Sequence, residues 1–368
     1  MKKVLEFTGE PIGTGGQEMF IINMLRNIDD KELKIDWATP YSCLNDLYKS
    51  EVENRGGKIF WFNLKFNPGG SRINVLIPLY KFLKKNKYDV IHAHSGSISV
   101  LIIVSLVAKV VGIKKIIVHS HSTGECKNIV YKVLKLISAP FFLFFPTDFC
   151  ACSEEAGSWK FPKSIVRRRL KVLKNGVDLR HFCPNQLNRS LVRKRLNVEN
   201  HMCVIGHVGR FSYVKNQEFL IRIIYELKKR RCGEYKLLLI GEGETYDNCR
   251  RLVQELSLQD DVIFHGFSSC VYDYMQAMDV FLFPSRWEGL GLVAIEAQAV
   301  GLPVIASEAV PREMKLVDDV SFLSLDRVED WVIEIEKKKG KRYEQVSTIK
   351  EKGYDIIDTA MQLVCMYK

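Results

Sequence analysis

No stretch of this sequence is both long and apolar enough to cross a membrane. Residues 98–111 and 133–145 are two longer apolar stretches, but Lys109 interrupts the first, and Lys135 and Pro140 interrupt the second. A spanning helix needs about 20 consecutive apolar residues. Both stretches are therefore predicted to be buried helices of a globular protein.

A signal peptide is not expected, and no CxxC motif occurs in this sequence. Glu6 and Gly9 end the first apolar run after a few residues, so this run is interpreted as a strand. The ten cysteines include Cys150 and Cys152, whose spacing puts both on one face of a strand, as core packing requires. Together these features predict a protein of the reducing cytoplasm.

Acidic residues are almost absent from residues 163–195. This stretch contains eleven lysines and arginines and a single acid, Asp178, in a chain of formal net charge +11. Such a stretch suits an anionic lipid surface, a lipid diphosphate or nucleic acid, or it is simply a solvated surface. Because no RNA-binding aromatic motif or zinc finger accompanies it, a nucleic-acid partner is not expected. A lipid or lipid-linked partner is the hypothesis that follows.

Strand and helix patterns alternate along the 368 residues. Short apolar runs such as Tyr88–His92 and Lys115–His119 are typical of parallel strands buried on both faces, and helices between them make βαβ units. A second series begins at Met202. The pattern predicts an α/β protein of two doubly wound domains, residues 1–178 and 179–349, with ligands beyond the carboxyl ends of the strands.

A glycine-rich turn follows the first predicted strand, where a dinucleotide-binding fold holds phosphate. The GxGxxG pattern is incomplete, because Glu18 replaces the third glycine that should follow Gly13 and Gly15. This argues against a tightly bound pyrophosphate and against a nicotinamide dehydrogenase. Gly15 and Gly16 still allow a ligand to approach the backbone, although a plain tight turn explains them as well.

Two basic residues flank the turn that follows the strand Cys203–Val208 and precedes a predicted helix. A helix N-terminus offers unpaired N–H groups and a positive dipole end to an anion. Arg210 and Lys215 add two charges at the same place, which together could neutralise a diphosphate. The alternative is an ordinary pair of surface charges.

Two glutamates lie eight positions apart in residues 283–297. Glu288 is on a glycine-containing loop after a strand, and Glu296 lies about one turn into the helix that begins near Leu292. A carboxylate accepts two hydroxyl hydrogen bonds at once, which suits a vicinal diol. Glu296 could therefore hold a ribose and Glu288 a sugar hydroxyl, while the helix N-terminus between them meets a phosphate.

These features together resemble the family 4 (group 1) retaining glycosyltransferases of GT-B fold, and most closely their bacterial capsular and exopolysaccharide branch. Residues 283–297 resemble the E-x7-E motif, and a Gly-Gly loop, strand-end histidines, GR…K, GEG and G-x-P-V-I-A-S occur in the family's order. The resemblance implies two Rossmann-like domains facing an interdomain cleft. It also implies that a helix at about 350–368 returns to the N-terminal, acceptor-binding domain, and that the C-terminal domain binds the donor.

The resemblance implies roles for individual residues. Arg210 and Lys215 bind the donor diphosphate, Glu288 contacts the transferred sugar, and Glu296 contacts the ribose. The implied donor-binding set is Gly15, Gly16, Arg210, Lys215, Gly241, Gly243, Phe267, Glu288, Gly289, Leu290, Gly291, Leu292 and Glu296.

Histidines at strand ends are the candidates in the first domain. In the segment Ile116–Ser122, His121 matches the family's histidine that faces the reacting sugar, and His119 is the second choice. His121 thus joins Arg210, Lys215 and Glu288 as a catalytic candidate. His94 and His119 are the acceptor-side candidates.

The implied reaction moves a hexose or N-acetylhexosamine from a nucleotide-diphosphate sugar onto a growing, lipid-linked saccharide. The resemblance further implies that the nucleotide is UDP, that the anomeric configuration is retained, and that neither a metal nor another cofactor is required. The basic stretch 163–195 and the apolar stretch 133–145 suggest peripheral contact with the inner face of the membrane.

Two other functions stay open. A glycoside hydrolase could use Glu288 and Glu296, since it needs two carboxylates about 5–10 Å apart, but it has no use for a cationic phosphate pocket. A non-catalytic nucleotide-sugar-binding protein would keep the same pocket. The presence of Arg210 and Lys215 beside both glutamates argues against such a loss of activity.

Overall fold

The chain divides into two compact units. Unit 1 comprises Met1–Gly176 with Ile356–Lys368, and unit 2 comprises Val177–Asp355. The computed structural model describes all residues except Thr14, Asp30, Gly69, residues 122–128, Arg231 and Cys232, and it describes residues 129–134 by their backbone alone.

Unit 1 is built on a parallel sheet with strand order β3-β2-β1-β4-β5-β6-β7 in its described residues. The strands are β1 (Lys2–Thr8), β2 (Leu33–Thr39), β3 (Ile59–Trp61), β4 (Val90–His94), β5 (Lys115–Ser120), β6 (Asp148–Ala151) and β7 (Leu170–Val172). The helices are α1 (Gly16–Asn27), α2 (Asp46–Asn54), α3 (Leu76–Lys85), α4 (Ile98–Val110), α5 (Ile129–Phe144), α6 (Glu154–Lys160) and α7 (Lys163–Arg168). The order reverses between β1 and β4, where ligands bind in open sheets of this kind.

Unit 2 contains a second parallel sheet, of order β10-β9-β8-β11-β12-β13 in its described part. The strands are β8 (Cys203–Val208), β9 (Tyr235–Ile240), β10 (Val262–Gly266), β11 (Val280–Phe283), β12 (Val304–Ser307) and β13 (Val320–Leu323). The helices are α8 (Gln186–Arg195), α9 (Gln217–Lys229), α10 (Tyr246–Glu255), α11 (Val271–Ala277), α12 (Leu292–Ala299), α13 (Val328–Lys338) and α14 (Val346–Glu351). Here the order reverses between β8 and β11.

The last helix, α15 (Ile356–Tyr367), belongs to unit 1. Its residues Leu363 and Tyr367 are buried in the same apolar cluster as Phe20 and Ile21 of α1. Each apolar side chain buried in this way stabilises the fold by about 1.5–3 kcal/mol. The end of the chain is therefore held by a packed apolar face.

The alternating pattern predicted the fold class correctly. Strands such as β9, in which Leu237, Leu238 and Leu239 are all fully buried, are covered on both faces, as expected for parallel sheets. Helix α2 begins at Asp46. Its start is set by the Asn45 side chain, which accepts hydrogen bonds from two backbone N–H groups of the first turn.

The prediction that both apolar stretches are buried helices holds for α4 but is wrong for α5. Leu136 and Phe144 of α5 are each 75% exposed, whereas Phe142 is fully buried. A helix on the outside of a sheet buries one stripe of side chains, and α5 is apolar on its outer face as well. No helix within the described residues is both long and apolar enough to reach across a membrane.

The basic stretch 163–195 is not uniformly a surface feature. Arg193 is only 2% exposed, and its guanidinium donates hydrogen bonds to three backbone carbonyls and to Asp279. Arg189 also pairs with Asp279, at 2.5 Å. Two of the eleven charges therefore stabilise unit 2 internally, and their carboxylate partner lies far away in the sequence. The exposed arginines Arg167 and Arg168 of α7 are in unit 1.

Candidate active site

Two loops of unit 2 meet at the carboxyl ends of neighbouring strands. The loop 209–216 follows β8, and the loop 284–291 follows β11, which lies beside β8 in the sheet. The backbone N–H of Arg286 donates to the carbonyl of Val214 at 2.8 Å, and the Asn216 side chain donates to the carbonyl of Pro284 at 3.3 Å. We call these two segments the donor loops.

Asn216 stands at the N-cap position of α9, but its side chain does not cap the helix. Its φ of +57° lies in the left-handed region, which asparagine tolerates better than most residues. The side chain instead joins the donor loops, since it also accepts a hydrogen bond from Arg286 at 3.2 Å.

Lys215 and Glu288 form an ion pair across the donor loops. The ammonium nitrogen of Lys215 lies 2.5 Å from Oε1 of Glu288, and both side chains are largely buried. The same ammonium lies 5.1 Å from the centre of the Phe283 ring, a cation–π distance. The two residues assigned to the diphosphate and the transferred sugar are therefore adjacent, and each holds the other in place.

Arg210 lies on the first donor loop and is held much more loosely. Its side chain is 76% exposed and pairs with Glu244 at 3.0 Å. An exposed ion pair of this kind stabilises a protein by no more than about 1 kcal/mol. Arg210 can therefore leave Glu244 for an anionic ligand at little cost.

A third loop packs directly against the first donor loop. Gly241 and Gly243 have φ of +136° and +155°, and a Cβ atom on either would lie 2.2 Å from a backbone carbonyl oxygen, of Gly209 and Phe211 respectively. Glycine is required at both positions for this close approach. The exposed Phe267 follows β10 beside this loop, and its N–H points to the Glu242 carboxylate at 3.4 Å.

The helix α12 begins where the second donor loop ends. Gly291 occupies the N-cap position with a φ of +79°, and a Cβ there would lie 2.6 Å from the Phe283 ring. Among the described residues, no side chain caps this helix. Its first N–H groups, around Leu290–Leu292, are therefore available to an anion, and Gly289 has open space around its Cα.

Glu296 lies in α12 with a carboxyl group that has no hydrogen bond or ion pair to any described residue. Burial raises the pKa of this carboxyl from 4.5 to about 7. Glu296 is half-buried, and a ligand that covers its carboxyl has to supply hydrogen-bond donors in place of water. A ribose diol would do so.

We expect the affinity for a nucleotide sugar to rise as the pH rises through about 7, because the ionised Glu296 accepts hydroxyl hydrogen bonds better than the protonated acid. In the protein without a ligand, ionisation of Glu296 has the opposite effect, because it lowers the stability of the fold. The raised folded pKa makes stability fall between pH 4.5 and about 7, where the unfolded chain releases this proton first. Calorimetric titration with a nucleotide sugar, whose diphosphate has no titrating proton in this range, measures the first effect.

The matched variants for this pH dependence are Glu296→Gln and Glu255→Gln. Glu255 is an exposed residue at the end of α10 in the same unit. Glu296→Gln should bind with an affinity that does not change between pH 6 and pH 8, whereas Glu255→Gln should behave like the wild type. An unaltered pH dependence in Glu296→Gln would assign the titration to another group.

In the glycine-rich turn of unit 1, the Glu18 carboxyl lies directly beside Gly15. Glu18 is buried, and its carboxyl accepts hydrogen bonds from the backbone of Gly15 and Glu18 itself, at the start of α1. A Cβ on Gly15 would lie 2.5 Å from this carboxyl, whereas none of the atoms described lies within 4 Å of a Cβ on Gly16. A phosphate here would meet a carboxyl group, so the turn suits a hydroxyl group better. Thr14 of this turn lies outside the described residues.

The three histidines selected from the sequence lie together in unit 1. His94 Nδ1 is 2.7 Å from His121 Nε2, and the rings of His119 and His121 stack with centroids 4.0 Å apart. Phe20 of α1 covers all three rings at centroid distances of 4.9–6.0 Å. Burial lowers the pKa of His94 to about 4 and holds those of His119 and His121 well below the usual value, so all three are neutral. Ser122 lies outside the described residues.

Three further residues of this cluster were not found from the sequence: Glu6, His92 and Tyr367. Glu6 of β1 and His92 of β4 are opposite each other in the sheet register. Residues two positions apart on a strand share a face, so His92 lies on the same face of β4 as His94. This spacing is the one sequence signal that could have revealed His92. Tyr367 comes from α15, and no local pattern connects it with β1.

The same cluster contains a potential metal-binding group. Among the described residues, His92, His94 and His119 offer ring nitrogens within 4.8 Å of one another. Five of their six ring nitrogens already have hydrogen-bond partners. A metal ion would have to break several of these bonds.

Comparison with known proteins identifies the family. Residues 14–181 match the family model described as "Glycosyltransferase Family 4", and residues 188–336 match the model "Glycosyl transferases group 1". The chain belongs to this glycosyltransferase family. The prediction made from the E-x7-E, GR…K and GEG motifs is confirmed.

Relatives and a solved structure agree with this family. EpsF of Bacillus subtilis (strain 168), whose name marks it as a glycosyltransferase, is 30% identical over 366 residues, 96% of this chain and 93% of its own length. The UDP-Gal:alpha-D-GlcNAc-diphosphoundecaprenol alpha-1,3-galactosyltransferase of Escherichia coli is 29% identical over 240 residues, 63% of this chain and 61% of its own. The structure of Anabaena HepE in complex with UDP superposes with a TM-score of 0.75 at 19% identity, over 99% of this chain and 98% of that one.

This glycosyltransferase therefore has the fold that the resemblance implied, with two parallel-sheet domains of GT-B type. Membership of this family shows that the protein is a transferase. This argues against a glycoside hydrolase that would use Glu288 and Glu296. Within unit 2 the donor loops bring Arg210, Lys215 and Glu288 to one end of the sheet. The individual roles of these residues are proposals, which follow.

Proposed function

We propose that this glycosyltransferase moves a hexose or N-acetylhexosamine from a UDP-sugar onto a growing, lipid-linked saccharide of a bacterial capsule or exopolysaccharide. The observation that carries the proposal is the Lys215–Glu288 pair beside the uncapped N-terminus of α12. This arrangement places a cation, an anion-binding helix end and a hydroxyl-binding carboxylate side by side. A diphosphate linked to a sugar has the matching sequence of charges and hydroxyl groups.

In the proposed reaction the bond between the anomeric carbon and the diphosphate oxygen breaks, and the acceptor oxygen forms a bond to the same face of that carbon. The acceptor proton passes to the departing phosphate oxygen, so the reaction balances without a separate base. Lys215, Arg210 and the N–H groups of α12 stabilise the charge that grows on the diphosphate. Because these groups supply the positive charge, the reaction is proposed to need no metal ion.

The nucleotide is proposed to bind along the first donor loop and the glycine loop behind it. Gly241 and Gly243 allow the nucleotide to lie against the backbone, Phe267 offers an exposed ring to the base, and Glu296 accepts the ribose hydroxyls. UDP is chosen because the Escherichia coli relative is named for UDP-Gal.

The acceptor is proposed to be attached to a lipid diphosphate. The same relative is named for a GlcNAc-diphosphoundecaprenol acceptor. Unit 1 contains both the exposed apolar side chains of α5 and the exposed arginines of α7, and the two helices bury Phe142 and Ile165 in the same apolar cluster. Exposed apolar side chains and arginines in one unit suit the surface of an anionic membrane.

Binding to vesicles that contain an anionic lipid is expected to weaken as salt is raised from about 0.1 M to about 1 M, since the Debye length falls from about 10 Å to about 3 Å. The double variant Arg167→Glu with Arg168→Glu should reduce binding further in low salt. Arg195→Glu, which changes an exposed arginine of unit 2, is the control. Vesicle co-sedimentation that is insensitive to salt would contradict an electrostatic contact.

A thermal-shift panel of UDP-, GDP-, ADP- and TDP-sugars in EDTA tests the donor proposal. A ligand at about 100 times its Kd adds about 2.7 kcal/mol of stability. UDP-sugars should stabilise the wild type but not Glu296→Ala. Transfer of radiolabelled sugar to a lipid-diphosphate saccharide then separates an enzyme from a protein that only binds nucleotide sugars. Stabilisation without transfer to any acceptor would favour the latter, and stabilisation that EDTA abolishes would show a metal requirement.

A further inference from the structure

Glu6 is a buried carboxylate at the centre of the histidine cluster, and the proposed reaction does not use it. Its Oε2 lies 2.6 Å from His94 Nε2, and its Oε1 accepts a hydrogen bond from the Tyr367 hydroxyl. Burial raises the pKa of Glu6, but the neighbouring His92 and His94 outweigh this and hold it well below the usual range. Glu6 is therefore ionised, and an ionised carboxylate can only accept hydrogen bonds.

One chain of hydrogen bonds runs from Glu6 to His121. Because Glu6 only accepts, His94 must carry its proton on Nε2, which leaves a lone pair on Nδ1 of the neutral ring. His94 Nδ1 lies 2.7 Å from His121 Nε2, so His121 must donate from Nε2. The neutral His121 then has an unprotonated Nδ1.

A second chain runs from Glu6 to His119. The Tyr367 hydroxyl donates its proton to Glu6, so it accepts from His92 Nδ1, which lies 2.8 Å away. In a neutral His92 the lone pair is then on Nε2, and His119 Nδ1, at 3.2 Å, donates to it. The neutral His119 is left with an unprotonated Nε2.

Both chains end on an unused acceptor. His121 Nδ1 and His119 Nε2 are buried nitrogen atoms that have no hydrogen-bond partner among the described residues. An unpaired buried acceptor costs about 1–3 kcal/mol, so an arrangement that produces two of them is unfavourable without a ligand. An unprotonated imidazole nitrogen accepts a hydrogen bond from a hydroxyl group, and it offers nothing to a phosphate oxygen, which is also an acceptor.

We propose that Glu6 is a positioning residue that fixes the tautomers of His121 and His119, so that Nδ1 of the half-buried His121 accepts a hydrogen bond from a hydroxyl group of a sugar substrate. This inference rests on the proposed function. An acceptor nitrogen binds a sugar, whose hydroxyl groups donate hydrogen bonds, in preference to a diphosphate, whose oxygen atoms accept them.

Nitrogen-15 NMR of the imidazole rings in the intact protein tests the tautomers directly. His121 should be protonated on Nε2 and His119 on Nδ1, the form that a free histidine adopts less often. Single His→Gln variants assign the resonances. The reverse tautomer at either residue would overturn the proposal, and this outcome does not depend on whether the protein transfers sugar.

The Glu6→Gln variant tests the effect on the substrate. Its amide can donate as well as accept, so the proton positions are no longer forced. We expect affinity for a UDP-sugar to fall about ten-fold, the equivalent of one hydrogen bond, while affinity for UDP itself is unchanged. In the wild type, binding of the UDP-sugar or of a saccharide acceptor should shift the resonance of the unprotonated nitrogen of His121. Correct tautomers with no such shift from either bound ligand would refute the recognition of sugar hydroxyls.

Asp36→Asn is the matched control for a structural effect. Asp36 is another buried carboxylate of the same sheet, and it accepts hydrogen bonds from Tyr88 and from the backbone of Lys58, away from the histidines. This variant should lose stability without changing the tautomers or the ratio of UDP-sugar to UDP affinity. If both variants change that ratio equally, Glu6 acts only through the stability of unit 1. If no nucleotide sugar binds at all, the proposed function fails, and the NMR result still decides the tautomers.

Discussion

Replacing Lys215 by alanine is expected to lower kcat about 10²–10³-fold, the loss seen when one donor to a developing negative charge is removed. The ammonium of Lys215 is held 2.5 Å from Glu288 and beside the Phe283 ring, so it is already in place before a ligand binds. Its removal takes away a cation and leaves Glu288 unpaired. The unpaired carboxylate would then repel a diphosphate, which adds to the loss.

Single-turnover kinetics with a UDP-sugar should show this loss in the chemical step. Lys228→Ala is the control, because Lys228 is an exposed lysine of the same unit that pairs with Asp261. Arg210→Ala should change kcat in the same direction as Lys215→Ala. If Lys215→Ala keeps the wild-type kcat and fold, the lysine does not stabilise the leaving diphosphate.

Replacing Arg193 by methionine is expected to lower the free energy of unfolding by about 3–5 kcal/mol, as is typical when one partner of a buried ion pair is removed. The guanidinium of Arg193 donates to the carbonyls of Ala277, Glu199 and Met202, and lies 3.2 Å from Asp279. Methionine fills similar space but donates nothing. Three carbonyls lose a donor, and Asp279 keeps only Arg189 as a cationic partner among the described residues.

Urea denaturation of Arg193→Met and Arg195→Met provides the comparison. Both residues lie in α8, but Arg195 is exposed, and its replacement should change stability by less than about 0.5 kcal/mol. Equal stabilities of the two variants would show that Arg193 is not essential to unit 2. A large loss would confirm that this part of the basic stretch stabilises the fold rather than binding a partner.

The fold and the donor loops were predictable because their signals are local. Parallel strands buried on both faces have to be apolar along their length, as Leu237–Leu239 are. Glu288 and Glu296 lie within one strand–loop–helix segment, so their relation follows from sequence spacing alone. Arg210 and Lys215 follow β8, and the reversal of strand order puts β8 next to β11 in sheets of this type.

The environment of single charged residues was not predictable in the same way. The sequence shows Arg193 as one of eleven basic residues, and its burial depends on carbonyls and on Asp279, which is 86 positions away. The exposure of Leu136 and Phe144 likewise depends on which side of α5 meets the sheet. Apolar composition alone does not reveal this, because α5 is apolar on both sides.

The sequence by itself determined the family, the two doubly wound sheets and the residues at their strand ends, because periodicity and motif spacing are properties of short segments. Only the tertiary structure decided that Lys215 pairs with Glu288 and that Glu6 and Tyr367 meet beneath the histidines. Glu6 and Tyr367 are 361 positions apart, and they come together because α15 returns to pack on α1. Protonation states, ion pairs and unsatisfied acceptors depend on such contacts, which the packing of distant segments creates.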